Sequence, residues 1–261
     1  MPKKARKVKK NNLKIGIIFS VLIVSLILLS LFGKIINLLQ QGKYDSNYPF
    51  SLRVVSGKDT AFLSFSSRDK EIIYLKVTGA QDMRESLPFP SEGEVTSGSL
   101  PPSEISSFFT SMLGNEKIDT NLTVIDIARL YFLSKSISSG NVTSESVSAS
   151  DSASDRELAR LFLDGDIVDE DKRVEVVNAT GAYGVGNNVA KLLANLGANV
   201  VFVSTADKDE KESAIYFRGK EGYTVKRLKR ILGFKTLLQE EESISDITVR
   251  IGQDSLKSIN Q

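Results

Sequence analysis

The chain has 261 residues, which is room for one or two domains of ordinary size, and its formal net charge is +2. It contains neither cysteine nor histidine. This excludes disulfides, cysteine or histidine metal sites, Ser-His-Asp triads and Cys-His nucleophiles. Any catalysis would have to use carboxylate, Lys, Arg, Ser or Tyr side chains.

The N-terminus combines a basic head with an apolar run. Residues 1–14 carry seven Lys and Arg residues, whereas residues 15–33 carry no charge. At 1.5 Å per residue the apolar run reaches roughly 28 Å, close to the ~30 Å hydrocarbon thickness of a bilayer. It is longer than the apolar core of a cleaved signal peptide, and no small-x-small cleavage site follows it. The pattern predicts an uncleaved signal anchor over residues 15–39.

The basic head sets the expected orientation of this anchor. Positive charge ahead of the span places residues 1–14 in the cytoplasm and the rest of the chain outside the cell membrane. A short basic run can also act as a nucleic-acid arm. Its position directly before an apolar span favours contact with anionic lipid instead, so we expect the lipid bilayer as a partner and no nucleic acid.

Residues 44–138 are predicted to form a small α/β region. β-branched and aromatic residues mark three strands, and two helices with apolar faces follow a loop rich in Gly, Pro and Ser. The strands are expected at 51–55, 60–66 and 71–77, and the helices at about 101–113 and 123–137. Residues 139–172 are rich in serine and acidic residues. They predict a flexible linker with one short helix at about 156–163.

The C-terminal part, residues 173–254, shows the element order βαββαβ, and a short tail follows at 255–261. Apolar residues recur at helical spacing in its two helices, and each helix is followed by a glycine, Gly197 or Gly233. The order is typical of a ferredoxin-like fold, in which the first strand lies between the third and the fourth. The whole chain is therefore predicted to be an α+β protein with one N-terminal transmembrane helix.

A glycine-rich turn follows the first strand of this domain. It has the spacing G-x-x-G-x-G, so it lacks both the dinucleotide fingerprint and the Lys-Ser/Thr pair of a phosphate loop. The glycines favour a tight packing turn, and the alternative is an anion site at the start of the helix. The candidate residues of that anion turn are Asn178, Thr180, Gly181, Gly184 and Gly186.

The sheet face away from the helices is the second candidate site. In the ferredoxin-like order, outward Glu175 lies between Arg218 and Arg250, with Tyr216 nearby. These four residues are either a structural ion cluster on a solvated face or a platform for a sugar or peptide ligand.

The C-terminal segment resembles the LytR C-terminal domain of bacterial envelope proteins. The resemblance rests on VEVVNATG, VAKLLANLGANVVFV, SAIYF and SDITVRIGQD, four separated blocks within residues 174–254. It implies an envelope protein, and the setting of that family makes peptidoglycan or another wall glycan the expected ligand.

Residues 51–77 resemble the opening strands of the LytR-CpsA-Psr domain, whose members transfer glycopolymers from a lipid pyrophosphate carrier to peptidoglycan. Asp59 falls where that family has an acidic motif residue. The arginine of the next family motif is missing, because the chain reads Val-Thr-Gly-Ala-Gln-Asp at residues 77–82, and threonine cannot replace bidentate guanidinium contacts. The resemblance therefore implies a truncated, degenerate relative without transferase activity.

The sequence predicts a membrane-anchored extracytoplasmic protein that is not an enzyme, with no catalytic residue, no metal and no cofactor. Its expected partners are peptidoglycan or a wall glycopolymer, or other envelope proteins. The alternatives are a glycopolymer transferase with an altered site and a structural interaction protein of the envelope. Convergence of Asp59, Arg68, Asp82 and Arg84 in one pocket would favour the transferase.

Overall fold

The computed structural model of the chain describes residues 5–79, 89–102, 104–114, 118–148, 161–239 and 243–256. Its first unit is one long helix, α1 (Ala5–Gln41). Within α1, the stretch Gly16–Lys34 is long and apolar enough to cross a membrane, and none of it is buried inside the protein. The transmembrane helix predicted from residues 15–39 lies in this element.

Residues 43–261 form the second compact unit, which contains two β-sheets. The first sheet has six strands in the order β5-β4-β1-β2-β3-β6. The β1-β2, β2-β3 and β4-β5 pairs are antiparallel, and the β1-β4 and β3-β6 pairs are parallel. The strands are β1 (Phe50–Ser56), β2 (Asp59–Ser66), β3 (Glu71–Thr78), β4 (Gly93–Thr96), β5 (Asp119–Thr120) and β6 (Val142–Ser148).

Two helices cover one face of this sheet, α2 (Ile105–Gly114) and α3 (Val124–Ser136). Leu63 of β2 and Leu130 of α3 are fully buried in the core between them. Helix α3 begins with a capping box, in which Thr123 and Asp126 bond each other's backbone N–H groups. The three predicted strands and both predicted helices of this region are present.

The second sheet has five strands in the order β10-β9-β11-β7-β8. All its neighbouring pairs are parallel except β9-β11. A short helix, α4 (Gly165–Glu170), precedes it. The remaining elements are β7 (Arg173–Asn178), α5 (Val185–Asn195), β8 (Asn199–Thr205), β9 (Ala214–Phe217), α6 (Tyr223–Leu232), β10 (Lys235–Leu238) and β11 (Ile247–Ile251).

Helices α5 and α6 pack on one face of the second sheet, and the strands alternate accordingly. Val174 and Val176 of β7 face the helices, and Leu193 of α5 and Leu228 of α6 are fully buried against them. Each Å² of apolar surface that this packing removes from water stabilises the fold by about 25 cal/mol. The face that carries Glu175 is left without a helix, as the alternation in the sequence predicted.

The ferredoxin-like order predicted for this domain is not what the structure has. Strand β7 lies between β11 and β8, and β11 lies between β7 and β9. The difference has two physical causes. Residues 235–238, which the sequence pattern left unassigned, pair with β9 and make β9-α6-β10 a parallel βαβ unit. The glycine turns at both ends of α5 return the chain directly beside β7, so β7-α5-β8 is an unsplit βαβ unit as well.

Part of the predicted flexible linker is regular structure. Seven of its residues form β6, which pairs with β3 from Ile72↔Val142 to Thr78↔Ser148. The high serine content led to the prediction of a linker, although the valines of this segment are typical of a strand. Residues 156–160 of the predicted short helix lie outside the described residues. Farther on, the ring of Phe162 lies 4.8 Å from that of Phe89, and Phe89 lies 4.9 Å from Phe62, on the sheet face opposite α2 and α3.

Replacing Phe162 tests this packing. We expect Phe162→Ala to lower the free energy of unfolding by about 3–5 kcal/mol, because it empties a buried aromatic site. Chemical denaturation of the full chain in detergent measures the change. The neighbouring Leu163 is 46% exposed, against 5% for Phe162, so Leu163→Ala is the matched control and should change stability little. If both substitutions change stability equally, the packing of Phe162 against the first sheet is contradicted.

Candidate functional site

The glycine-rich turn after β7 is held by the side chain of Asn178. Its Oδ1 accepts hydrogen bonds from the backbone N and Oγ1 of Thr180 at 3.1 and 2.7 Å, and its Nδ2 donates to the carbonyl of Ala182 at 2.8 Å. Gly181 and Gly184 have φ angles of 74° and 83°, which side-chain-bearing residues rarely adopt. The turn therefore has the geometry of the packing turn that the glycine spacing favoured.

The surroundings of this turn do not favour an anion. A Cβ on Gly181 would lie 2.6 Å from the carboxylate of Asp209, so an acidic group occupies that side of the turn. Gly186 packs against Asn178, since its Cβ would lie 3.2 Å from the Asn178 Cβ. The five candidate residues are adjacent, but they form a backbone scaffold in which the polar atoms of Asn178 are already bonded.

The four candidates on the open sheet face are spread over three strands and the residue that follows β9. Glu175 pairs with Thr248 and Phe202, so β11 separates it from Tyr216. The side chain of Glu175 accepts from Ser245 Oγ at 3.4 Å. The predicted position of Glu175 between two arginines depended on the ferredoxin-like strand order, and β11 occupies the place between β7 and β9.

The two arginines have other contacts. Arg218 Nη2 donates to the carbonyl of Ser243 at 2.9 Å, and Arg250 Nε forms an ion pair with Glu210 at 2.8 Å. Arg250 is thus committed to the segment between β8 and β9. Arg218 instead lines a cleft that the sequence did not indicate.

A buried ion cluster joins the two sheets. Arg227 of α6 is 1% exposed, and its Nε donates to Asp164 Oδ2 at 3.0 Å while its Nη1 lies 3.0 Å from Glu92 Oε2. Asp164 precedes α4, and Glu92 precedes β4 of the first sheet. One guanidinium therefore serves two buried carboxylates from distant parts of the chain. A buried charge is tolerated only when it is paired in this way.

Asp164 has an unusual environment for a carboxyl group. Burial raises its pKa, and the charge of Arg227 and the hydrogen bond from Tyr223 oppose the shift. The hydroxyl of Tyr223 donates to Asp164 at 3.0 Å. Burial, followed by the neighbouring carboxylate, raises the pKa of Tyr223, which keeps the hydroxyl protonated and able to donate.

Arg230 extends the cluster to the surface. Its Nε donates to Glu92 at 3.3 Å, its Nη1 donates to Asp45 at 3.4 Å, and its guanidinium lies 5.0 Å from the ring centre of Tyr48. The Tyr48 ring in turn lies 5.2 Å from the ring of Tyr223. These contacts fix Tyr48, a residue of the segment before the first sheet, against helix α6.

Tyr48 and Tyr223 border a cleft of about 480 Å³, which we call the Tyr48 cleft. Its walls come from Tyr48, the α4-β7 segment, the ends of β9 and β11, and the start of α6. It combines an aromatic and apolar floor with charged side chains at its mouth. The floor residues are Tyr48, Phe217, Tyr223, Val225 and Ile247, and the charged ones are Glu170, Lys172, Arg218, Lys220, Glu221, Lys226 and Asp246.

Some charged side chains of the Tyr48 cleft have a bonding partner within the protein, and others do not. Glu170 accepts a 2.6 Å hydrogen bond from the backbone N of Thr224, and Asp246 binds Arg173. Lys220 and Lys226 form no ion pair within the described part of the chain. Two ammonium groups thus remain available beside an aromatic floor, an arrangement suited to a ligand with negative charge.

The residues proposed for a transferase site do not converge where they are described. Asp59 begins β2 and accepts from the backbone N of Gly79 at 3.0 Å. Arg68 follows the other end of β2, roughly 23 Å away at 3.3 Å per residue, and binds both oxygens of Asp166 at 2.7 Å. Asp82 and Arg84 lie outside the described residues. No group of three acidic side chains that could hold a metal ion occurs among the described residues.

The sequence could not have identified the Tyr48 cleft. Tyr48 lies in a segment expected to be a polar spacer, and Lys220 and Lys226 flank a helix start of ordinary composition. Nothing in the local pattern of either segment indicates that they meet, because the contact depends on the ion cluster of Arg227.

The fold and the cleft define an α/β protein of two joined sheets, with an apolar helix ahead of them. Residues 171–254, which contain the second sheet, match the family described as "LytR cell envelope-related transcriptional attenuator". The resemblance of this segment to the LytR C-terminal domain is thereby confirmed, and the segment is similar to a cell envelope-related family. No curated protein and no solved structure matches the chain.

Removal of the shared guanidinium tests the ion cluster. We expect Arg227→Met to lower the free energy of unfolding by about 3–5 kcal/mol at pH 7, because Asp164 stays buried without a counter-charge and Glu92 keeps only Arg230. Burial already raises the pKa of Asp164, so the folded variant binds protons more readily than the unfolded chain. Its stability should therefore rise as the pH falls from 7 to 5.

Denaturant unfolding at the two pH values measures both effects. Lys229→Met on the exposed side of the same helix is the control, and it should remain close to the unmodified protein at both. A variant at position 227 that loses stability further at pH 5 would contradict the assignment.

Proposed function

We propose that this protein is anchored in the cell membrane by Gly16–Lys34, with residues 43–261 outside, and binds an anionic glycan polymer of the envelope in the Tyr48 cleft. It performs no chemistry on that polymer. The observation that carries the proposal is the pair of ammonium groups of Lys220 and Lys226, which have no ion-pair partner among the described residues and lie beside an aromatic floor.

The setting supports an anchored envelope protein. The family match places residues 171–254 among cell envelope-related domains, and Gly16–Lys34 has the length and composition of a membrane span. Positive charge precedes this span, which favours a cytoplasmic N-terminus. A chain without cysteine suits any redox environment, so its composition is compatible with exposure outside the membrane.

The shape and charge of the cleft support a glycan ligand with acidic groups. A volume of about 480 Å³ is in the range of small-ligand sites and would accommodate a few units of a longer chain. Tyr48 and Tyr223 are partly exposed at the cleft, and the uncovered parts of their rings suit contact with sugar C–H groups. Lys220, Lys226 and Arg218 supply donors to phosphate or carboxylate oxygens.

The positions of the acidic and basic candidates support binding without catalysis. Asp59 and Arg68 lie at opposite ends of β2, and each is bonded within the protein. A transferase of the LytR-CpsA-Psr type needs arginine and aspartate side chains at one pyrophosphate. Two of the three carboxylates that line the cleft, those of Glu170 and Asp246, are committed to Thr224 and Arg173.

Charge removal at the mouth of the cleft tests the proposal. The full chain in detergent is titrated against solubilised peptidoglycan that retains phosphodiester-linked polymer, and against the same material after that polymer has been removed. We expect Lys220→Gln/Lys226→Gln to weaken binding to the polymer-bearing material by about tenfold at low salt, since each exposed charge contributes up to about 1 kcal/mol. Binding should fall further as salt is raised.

The matched control changes the same number of charges outside the cleft. Lys58 lies in the β1-β2 turn, and Lys229 lies one turn beyond Lys226 on α6; both are exposed. Lys58→Gln/Lys229→Gln should bind as the unmodified protein does. Equal binding to stripped and polymer-bearing material, or equal weakening by the two double variants, would reject an anionic ligand in this cleft.

A further inference from the structure

The free edge of the second sheet is unusually apolar. Strand β8 is the last strand of this sheet, and its residues Val201, Phe202 and Val203 are 44%, 48% and 38% exposed. The strand sequence NVVFVST contains no charged residue. Soluble proteins usually protect such edges with short strands, charges or a covering element, because unpaired backbone groups there recruit another strand.

Two other edge strands, β10 and β6, differ from β8 in length or in charge. Strand β10 has four residues and begins with Lys235, which forms an ion pair with Glu212. The edge strand β6 of the first sheet exposes Ser144, Glu145 and Ser146. Strand β8 is seven residues long and has no charged side chain, so neither form of protection applies to it. Its exposed apolar side chains would be stabilised by contact with a partner.

The backbone of β8 has hydrogen-bonding groups directed to this edge. Just beyond the strand, the backbone N of Ala206 donates to the carbonyl of Asn178 on β7. Since the direction of backbone groups alternates along a strand, Val203 and Thr205 point their N–H and C=O groups away from β7. Among the described residues these four backbone groups have no strand as a partner, and they can pair with another strand. They lie at the end of β8 that is distant from the irregularity in the β7-β8 register.

We propose that two copies of this chain pair through β8, antiparallel about a two-fold axis at Ser204, and join their second sheets into one ten-stranded sheet. In this register Val203 of each copy exchanges two hydrogen bonds with Thr205 of the other. The exposed Phe202 then lies opposite Ala206. Because β8 has no charge, the two identical strands meet without like-charge repulsion, which makes a second copy the fitting occupant.

The chain offers a sharp test, since it has no cysteine of its own. In the proposed register the two Ser204 residues form a non-hydrogen-bonded pair with Cα atoms about 4.5 Å apart, which is within disulfide range. We expect the full-length Ser204→Cys variant in detergent to give a disulfide-linked dimer on oxidation. Ser146→Cys, at an exposed serine of the edge strand β6, is the matched control and should remain monomeric on a non-reducing gel.

A second pair of variants tests the same contact without a cross-link. Ser204→Lys places two positive charges opposite each other at the axis and should raise the dimer dissociation constant at least about tenfold. Ser146→Lys should leave it unchanged. Sedimentation of the full chain in detergent measures the constant, and thermal unfolding by circular dichroism checks that each variant is folded.

Three outcomes would overturn the proposal. They are a monomeric unmodified protein at tens of micromolar, equal cross-linking at positions 204 and 146, and an unchanged dissociation constant in a folded Ser204→Lys variant. The last outcome would assign self-association to another surface, such as α1. If Ser204→Lys does not fold, the nearly isosteric Ser204→Cys variant decides the question alone.

Discussion

The joining of the two sheets depends on one guanidinium. Arg227 is 1% exposed and has two carboxylate partners, one before α4 and one before β4. Arg227 and Asp164 are buried as charges only because they are paired, since an unpaired charge in a low-dielectric interior costs several kcal/mol. The main effect of the cluster is therefore to specify how the second sheet docks on the first, and its net contribution to stability is small. A polar network satisfied in only one geometry excludes sliding, which apolar contacts such as those of Phe162 would permit.

The candidate binding cleft follows from that docking. Tyr48 comes from the segment before the first sheet, whereas Tyr223, Lys220 and Lys226 belong to the α6 end of the second. Arg230 lies over the Tyr48 ring and is held by Asp45 and Glu92, so the same network that buries Arg227 also positions the aromatic wall. Glu170 and Asp246 of the cleft are bonded within the protein, whereas Lys220 and Lys226 have no ion-pair partner among the described residues.

The parts that could be predicted from the sequence are those set by local pattern. Helices α5 and α6 follow from apolar residues at helical spacing and from Gly197 and Gly233, both of which have the left-handed φ that a helix end requires. Strand β6 was missed because serine-rich composition imitates a linker, and β10 because a four-residue strand has too little periodicity to be recognised. The strand order, the ion cluster and the Tyr48 cleft depend on contacts between residues distant in sequence, which no window of residues contains.

The unsplit β7-α5-β8 unit connects the local turn chemistry with the behaviour of the whole molecule. The glycines at both ends of α5 keep the crossover tight, so β8 returns beside β7 and becomes the edge of the sheet. In a dimer formed through that edge, each assembly carries two Tyr48 clefts. If the proposed ligand repeats its anionic group, one polymer chain could occupy both clefts, and the second contact would form at the high effective concentration set by the first. Under the proposed function, weak single clefts of exposed lysines would then be sufficient for attachment.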